Sequence, residues 1–287
     1  MGIPEVPSDV VAFTDQDIEM VRRLSAATGA GLVADDEILR LARLLGVSCS
    51  RIAEASLDVV EAMLASAPGV PGSVDPAERL ERLVYSSNDL GLQLLEDSLL
   101  YVWRRHLLAA LGKRLGLDEG SARLAVGFAD ISGFSKLSRR LGRDELAALV
   151  DRFETIGFDV VASFGGRVVK LIGDEVMFVA PDVGTAVAIA VEVARQHAAD
   201  PGLPAVHCGV AYGSTVSVGG DVFGPTVNLA SRLTTLARPG TVAILREEAE
   251  GLAPGDDFEV VRVGRSYQLK GVGAVRVAVI RPAPSIE

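Results

Sequence analysis

The stretch that decides the fold of this 287-residue chain is Lys170-Leu171-Ile172-Gly173-Asp174-Glu175. Within it, Gly173 and Asp174 lie between two short, largely apolar segments, residues 167–172 and 176–179. Glycine at the first central position of a two-residue connection is typical of a type II′ hairpin turn. The two segments are therefore predicted to pair as neighbouring antiparallel strands.

The sequence on both sides of this hairpin alternates between strand and helix patterns. Upstream, a continuous apolar strand is predicted over residues 124–131, followed by a helix over about 134–164. Downstream, the pattern predicts a helix over 183–197, strands over 205–212 and 215–218, a helix over 226–237, and strands near Thr241, Phe258 and Val275. This β-α-β-β-α-β order with extra strands indicates an α+β protein built as a ferredoxin-like α/β sandwich.

The first 115 residues have apolar residues at helical spacing and no convincing strand. Helices are predicted from Thr14 to about Gly29, from Asp35 to Gly46, from about Ser50 to Leu64, and over about 80–111, with a loop at 68–76. The chain is thus expected to have an all-α domain over 1–115 and an α/β domain over 116–287.

Charge and composition exclude several classes of function. The chain has a net charge of -10, divided as -6 before residue 116 and -4 after it, so neither part offers the basic surface that nucleic acid requires. This also argues against a helix-turn-helix at residues 39–55, where Gly46 lies between two predicted helices. Two distant cysteines, no signal peptide and no apolar run long enough to span a membrane predict a cytoplasmic protein.

Two carboxylates are placed where a metal site could form. Asp130 ends the first strand and Asp174 lies at the tip of the hairpin, so both are expected at one end of the sheet. With the backbone carbonyl of Ile131, they would offer the hard oxygen ligands that Mg²⁺ or Mn²⁺ prefers. Gly133 and Phe134 open the following helix, whose free N–H groups favour phosphate. The alternative is that Asp130 caps a helix and Asp174 is only a turn residue.

A second group of polar residues lies between 219 and 232. Asn228 and Arg232 are four residues apart and share one helix face, and Asp221 precedes that helix in a loop flanked by glycine. Taken alone, this pattern is also typical of a solvated helix.

Together, these residues resemble the catalytic domain of class III nucleotidyl cyclases over about residues 122–281. The resemblance implies that Asp130 and Asp174 bind two Mg²⁺ or Mn²⁺ ions, that Lys170 and Asp221 recognise the base, and that Asn228 and Arg232 stabilise the transition state. Lys270 occupies a position where family members often have a basic residue near the triphosphate, and the alternative is an ordinary surface lysine at the start of a strand. The implied activity is adenylyl cyclase: conversion of ATP to 3′,5′-cyclic AMP and pyrophosphate.

The resemblance also implies a head-to-tail homodimer, because in this family the metal-binding aspartates and the remaining site residues come from different chains. The substrate follows from the atoms of the bases. Lys170 can only donate and ionised Asp221 can only accept, which suits N1 and N6 of adenine and mismatches guanine. ATP is therefore expected rather than GTP.

Residues 1–115 resemble the helical segment that precedes some actinobacterial cyclase domains, and they are expected to regulate the enzyme and help it dimerise. These residues are compatible with four kinds of input: a small molecule such as a lipid in the helical bundle, pH through His106, a partner protein, or no signal at all. His197 and His207 are expected to be structural or exposed.

Two other functions remain open. The Ile172-Gly173-Asp174-Glu175-Val176 hairpin is similar to that of diguanylate cyclases, although the Asp221, Asn228 and Arg232 pattern is not. A catalytically silent nucleotide sensor is the other alternative.

Overall fold

The computed structural model describes residues 15–31, 34–66, 90–115, 123–252 and 258–283. The chain divides into two compact units, Met1–Glu119 and Gly120–Glu287. In the first unit the described residues form three helices, α1 (Asp15–Gly29), α2 (Asp35–Ser66) and α3 (Leu90–Leu115). Within these ranges no helix is long and apolar enough to cross a membrane. The loop predicted at 68–76 and the start of the helix predicted from residue 80 lie outside the described residues.

The second unit combines a seven-stranded sheet with helices. Its elements are β1 (Arg123–Ile131), α4 (Phe134–Leu137), α5 (Arg143–Ser163), β2 (Arg167–Ile172), β3 (Glu175–Ala180), α6 (Val183–Ala199), β4 (Val206–Ser214), β5 (Val216–Val218), β6 (Asp221–Phe223), α7 (Pro225–Leu236), β7 (Val242–Leu245), α8 (Arg246–Glu250), β8 (Phe258–Leu269) and β9 (Gly273–Pro282). The α+β class with a helical region in front is as the sequence predicts.

The hairpin predicted around Gly173 and Asp174 is confirmed. β2 pairs antiparallel with β3, and Ile172 lies opposite Glu175. Gly173 has a φ of 66°, and no non-glycine among the described residues has a positive φ. A positive φ at the first central residue alone is the signature of a type II′ turn, since type I′ needs one at both.

The sheet has the order β2-β3-β1-β4-β7-β9-β8, so β1 lies between the hairpin and β4. One face is covered by α5 and α6, whose Phe153 and Ile189 belong to a large buried cluster. The other face is covered by α7, which contributes Ala230 and Leu233 to a second cluster. Both faces of the sheet are therefore covered by helices.

Two glycines of β4 allow α7 to lie directly on the sheet. A Cβ placed on Gly209 would lie 2.1 Å from the backbone nitrogen of Thr234, and one on Gly213 would lie 2.7 Å from Thr226 Oγ1. The Thr226 hydroxyl also donates a 2.9 Å hydrogen bond to the carbonyl of Ser214. The position of α7 is therefore set by close contact between backbones.

Two helix predictions are wrong in detail. The helix predicted over 134–164 is divided into α4 and α5, because α5 begins anew after Gly142, whose N–H donates a 2.8 Å hydrogen bond to the Glu145 carboxylate. The break predicted at Gly46 is absent, since α2 runs continuously from Asp35 to Ser66. One glycine costs a helix only about 1 kcal/mol, which the rest of a long helix can offset. The same continuity is incompatible with a helix-turn-helix at 39–55.

A half-buried carboxyl group, that of Glu248 on α8, is expected to make folding dependent on pH. Its Oε1 accepts a 2.8 Å hydrogen bond from the N–H of Tyr212, while its buried Oε2 has no hydrogen-bond partner. Burial raises the pKa of Glu248 from 4.5 to about 7. Because the folded-state pKa lies above the unfolded one, the folded chain holds this proton more tightly. The resulting stability is present below about pH 4.5 and is lost as the pH rises through 7.

We expect Glu248→Gln to increase the free energy of unfolding more at pH 8 than at pH 5. The effect of the substitution on the free energy of unfolding should be larger at pH 8 than at pH 5 by up to about 3 kcal/mol, since one pKa unit corresponds to about 1.4 kcal/mol. Chemical denaturation at the two pH values measures it, with Glu247→Gln, at an exposed neighbouring position, as the control. An equal effect of Glu248→Gln at both pH values would contradict the expectation.

Candidate active site

Asp130 and Asp174 meet at one end of the sheet. Asp130 is the penultimate residue of β1 and lies opposite Glu175 of β3 in the antiparallel register. Asp174 is in the turn before β3, and its carbonyl accepts a 3.1 Å hydrogen bond from the N–H of Ile131. This bond closes the end of the sheet and brings the two carboxyl groups together.

The electrostatics of this end of the sheet reflect several acids in a small space. Burial and the neighbouring carboxylate of Asp130 raise the pKa of Asp174 above its ordinary value. Burial, with Asp130 and Asp174 beside it, raises the pKa of Glu175 to about 7. Such mutual repulsion is what a bound cation would relieve.

His207 on β4 lies beside this acidic group. Its Nε2 is 3.2 Å from Asp130 Oδ2, and its Nδ1 is 3.1 Å from Ser132 Oγ. Sequence reasoning gave His207 no role at the site. The β1–β4 register, which places His207 opposite Asp130, is the signal that identifies it.

The residues after β1 form a tight bend. Gly133 has a φ of 75° and precedes α4, which is a single turn of four residues. Phe134 packs against the larger core cluster. The predicted contact of this bend with phosphate stays a prediction, and it now rests on one helical turn rather than on a long helix.

Lys170 and Asp221 form a second polar group. Lys170 lies on β2, four residues before Asp174, and Asp221 begins β6 in the small β5–β6 hairpin. Lys170 Nζ is 2.6 Å from Asp221 Oδ2 and 5.7 Å from the centroid of the Phe223 ring. The two residues are thus paired within one chain.

The surroundings of Asp221 keep it ionised. Burial alone would raise its pKa, but the hydrogen bond from Lys170, the N–H of Val222 and the charge of Arg167 hold the pKa below its ordinary value. Arg167 also donates a 3.1 Å hydrogen bond from Nη1 to the carbonyl of Gly220. Arg167 therefore anchors the loop that carries Asp221, a role that the sequence did not reveal.

Asn228 and Arg232 lie on α7, one turn apart. Asn228 is exposed, whereas Arg232 is partly buried. A Cβ placed on Gly271 would lie 4.0 Å from Arg232 Nη2, so the guanidinium reaches the turn between β8 and β9. Lys270, which is exposed, directly precedes Gly271 in that turn. The side chain of Arg232 therefore lies close to Gly271, the residue that follows Lys270 in sequence.

These residues form three separate groups within one chain: Asp130 with Asp174, Lys170 with Asp221, and Asn228 with Arg232. In the described part of the chain, no hydrogen bond or ion pair joins one group to another. Lys170 lies within β2, whereas Asp174 lies in the turn that follows the end of that strand at Ile172.

The donors of the acidic group, Asp130 and Asp174, decide what kind of metal site it can form. Among the described residues, no three His, Cys, Asp or Glu side chains could hold a metal ion together. Mg²⁺, however, is usually held by one or two carboxylates together with substrate phosphates and water. The carboxylates of Asp130 and Asp174, which repel each other when both are ionised, fit that second kind of site.

Comparison with known proteins places these features in a family. No family model matches the chain. An adenylate cyclase of Streptomyces coelicolor is 40% identical over 256 residues, which cover 88% of this chain and 65% of that protein. An adenylate cyclase of Glutamicibacter nicotianae is 33% identical over 288 residues, covering 91% of this chain and 70% of that protein. The chain therefore spans less than two thirds of the first relative.

A solved structure supports the fold. Adenylate cyclases from Trypanosoma brucei, analysed in their monomeric state, align with a TM-score of 0.51 and 16% identity, over 59% of this chain and 92% of theirs. At this identity the likeness concerns the fold alone. With the two relatives, and with paired aspartates at the end of β1 and in the β2–β3 turn, it establishes that the chain belongs to the class III adenylyl and guanylyl cyclase family.

Proposed function

We propose that the chain is an adenylyl cyclase that converts ATP to 3′,5′-cyclic AMP and pyrophosphate. The observation that carries the proposal is the pair formed by Lys170 and Asp221, 2.6 Å apart on β2 and β6. A cationic donor beside an ionised acceptor matches the acceptor at N1 and the donor at N6 of adenine. Guanine presents the opposite pattern at N1 and O6, so it would offer neither Lys170 nor Asp221 a matching partner.

Class III cyclases are metal-dependent. In this chain Asp130 and Asp174 would hold the metal, with the carbonyl of Ile131, and we propose two Mg²⁺ or Mn²⁺ ions per site. When bound, the ions supply charge stabilisation for the attacking and leaving oxygens. Gly133 and Phe134 would contact the phosphates through their N–H groups.

The remaining residues act on the reacting phosphate and ribose. Cyclisation requires the 3′-hydroxyl to attack the α-phosphorus in line with the departing pyrophosphate, and charge spreads over the phosphoryl oxygens. Arg232 would offset that charge with its guanidinium, and Asn228 would orient the ribose. Lys270, in the turn that Arg232 reaches, would neutralise the departing pyrophosphate.

The separation of the three groups within one chain supports a composite site. Two chains placed head to tail would bring Asp130 and Asp174 of one copy to the base-recognising pair, Asn228 and Arg232 of the other. Such an arrangement creates two equivalent sites about a two-fold axis. A single chain would then be inactive.

The direct test is incubation of the full chain with ATP or GTP in the presence of Mn²⁺. We expect cyclic AMP, with kcat/KM for ATP exceeding that for GTP by about 10²-fold or more, because guanine mismatches the donor and acceptor of the partly buried Lys170–Asp221 pair. Faster formation of cyclic GMP would refute the assignment of the substrate. Absence of any cyclic product would favour a silent nucleotide sensor.

We also propose that residues 1–115 regulate this activity. The match to the Glutamicibacter relative covers 91% of this chain, more than the second unit alone can supply. The same assay on a chain without residues 1–115 tests the role. Unchanged activity and unchanged association would exclude it.

A further inference from the structure

His207 is the one histidine among the residues described at the acidic end of the sheet, and it touches two elements of the site. Its side chain bridges Asp130 and Ser132, at 3.2 and 3.1 Å. These residues flank Ile131, the last residue of β1. A ring held at both nitrogens has one defined orientation.

The partners determine which nitrogen of the ring carries the proton. An ionised carboxylate can only accept, so Nε2 must donate to Asp130 Oδ2. Nδ1 of the neutral ring then accepts, and the Ser132 hydroxyl donates to it. Both nitrogens are thereby occupied, which leaves His207 without a lone pair for a metal ion.

The bond from His207 leaves Asp130 able to bind a cation. A carboxylate offers about four lone-pair positions, and the histidine uses one of them. Fixing the plane of the carboxylate removes rotational freedom that a flexible ligand would otherwise lose on binding. Partners of this kind typically change metal affinity by about 10- to 100-fold.

We propose that His207 is a positioning residue that orients Asp130 for metal binding through its Nε2–H, while Ser132 fixes the tautomer of the ring. The proposal rests on the assignment of Asp130 as a metal ligand in the proposed function. It goes beyond that assignment by making the metal affinity of the site depend on a strand, β4, that carries none of the proposed ligands.

Two substitutions separate this role from simple packing. In His207→Gln, the side-chain amide nitrogen occupies the place of Nε2 and can still donate to Asp130. In His207→Asn, the shorter side chain reaches only the place of Nδ1, so the contact with Ser132 is kept and that with Asp130 is lost. Both variants remain polar, and their thermal unfolding midpoints show whether the fold is intact.

The affinity for the metal is measured in two ways. Calorimetric titration of the full chain with Mn²⁺ alone, with Asp130→Asn as the blank, reports binding without catalysis. The free Mn²⁺ concentration that gives half-maximal cyclic AMP formation is measured with ATP saturating. We expect His207→Asn to raise the Kd for Mn²⁺ and the half-maximal Mn²⁺ concentration by about tenfold or more. For His207→Gln, both values should remain within about threefold of the wild type.

Equal shifts in the two variants, or no shift in either, would overturn the proposal. Failure of the proposed function is a different result, in which the wild-type chain forms no cyclic AMP although the calorimetric difference between His207→Asn and His207→Gln persists.

Discussion

Replacing Asp174 by alanine is expected to reduce cyclic AMP formation by about 10³-fold or more. The substitution removes one of two carboxylates that would hold the metal, and charge stabilisation of this kind contributes several kcal/mol to phosphoryl transfer. The stability of the fold should not decrease in Asp174→Ala, although its activity does. Burial and the neighbouring carboxylate of Asp130 both raise the pKa of Asp174, so removal of this carboxyl group relieves a desolvation cost and a repulsion.

The measurement is the rate of cyclic AMP formation together with the thermal unfolding midpoint, for Asp174→Ala and for Asp182→Ala. Asp182 caps α6 by accepting a 2.8 Å hydrogen bond from the N–H of Thr185. Its loss should therefore cost about 1 kcal/mol of stability and leave catalysis intact. Full activity of Asp174→Ala would remove the acidic group from the mechanism.

The second large effect is recovery of activity by mixing two inactive chains. Asp174→Ala damages only the metal-binding group, and Arg232→Ala damages only the group on α7. In a composite head-to-tail dimer, a mixed pair has one site with both defects and one with neither. Co-expression in equal amounts gives mixed pairs in half of the dimers, so about one quarter of wild-type activity is expected.

The matched control pairs Asp130→Ala with Asp174→Ala, since both defects then lie in the same group. No mixture of these two chains can assemble an intact site, and activity should stay at the level of either alone. If the Asp174→Ala and Arg232→Ala mixture is equally inactive, the three groups must act within one chain.

The sequence predicted the elements that depend on local chemistry. The turn at Gly173 needs a positive φ that glycine adopts without strain, and the spacing of Asn228 and Arg232 needs only a regular helix. The α+β fold followed from the order of such elements. The proposed roles of the site residues in metal, base and phosphate binding stay predictions.

What the sequence did not reveal depends on contacts between distant segments. His207 is 77 residues from Asp130 along the chain and becomes its neighbour only through the register of β1 and β4. Arg167 meets the carbonyl of Gly220 through the position of a small separate hairpin. The start of α5 at Gly142 is set by one side chain, that of Glu145, and helical spacing alone does not mark it.

The absence of side chains at Gly209 and Gly213 has a consequence for how such an enzyme can be switched. With no atoms between them that could rearrange, α7 and β4 have no room to slide, and Asn228 and Arg232 travel with the sheet as one piece. A regulatory signal therefore cannot change the positions of Asn228 and Arg232 by shifting α7 alone. In the proposed dimer, control of the reaction would then act through the angle at which one chain meets its copy.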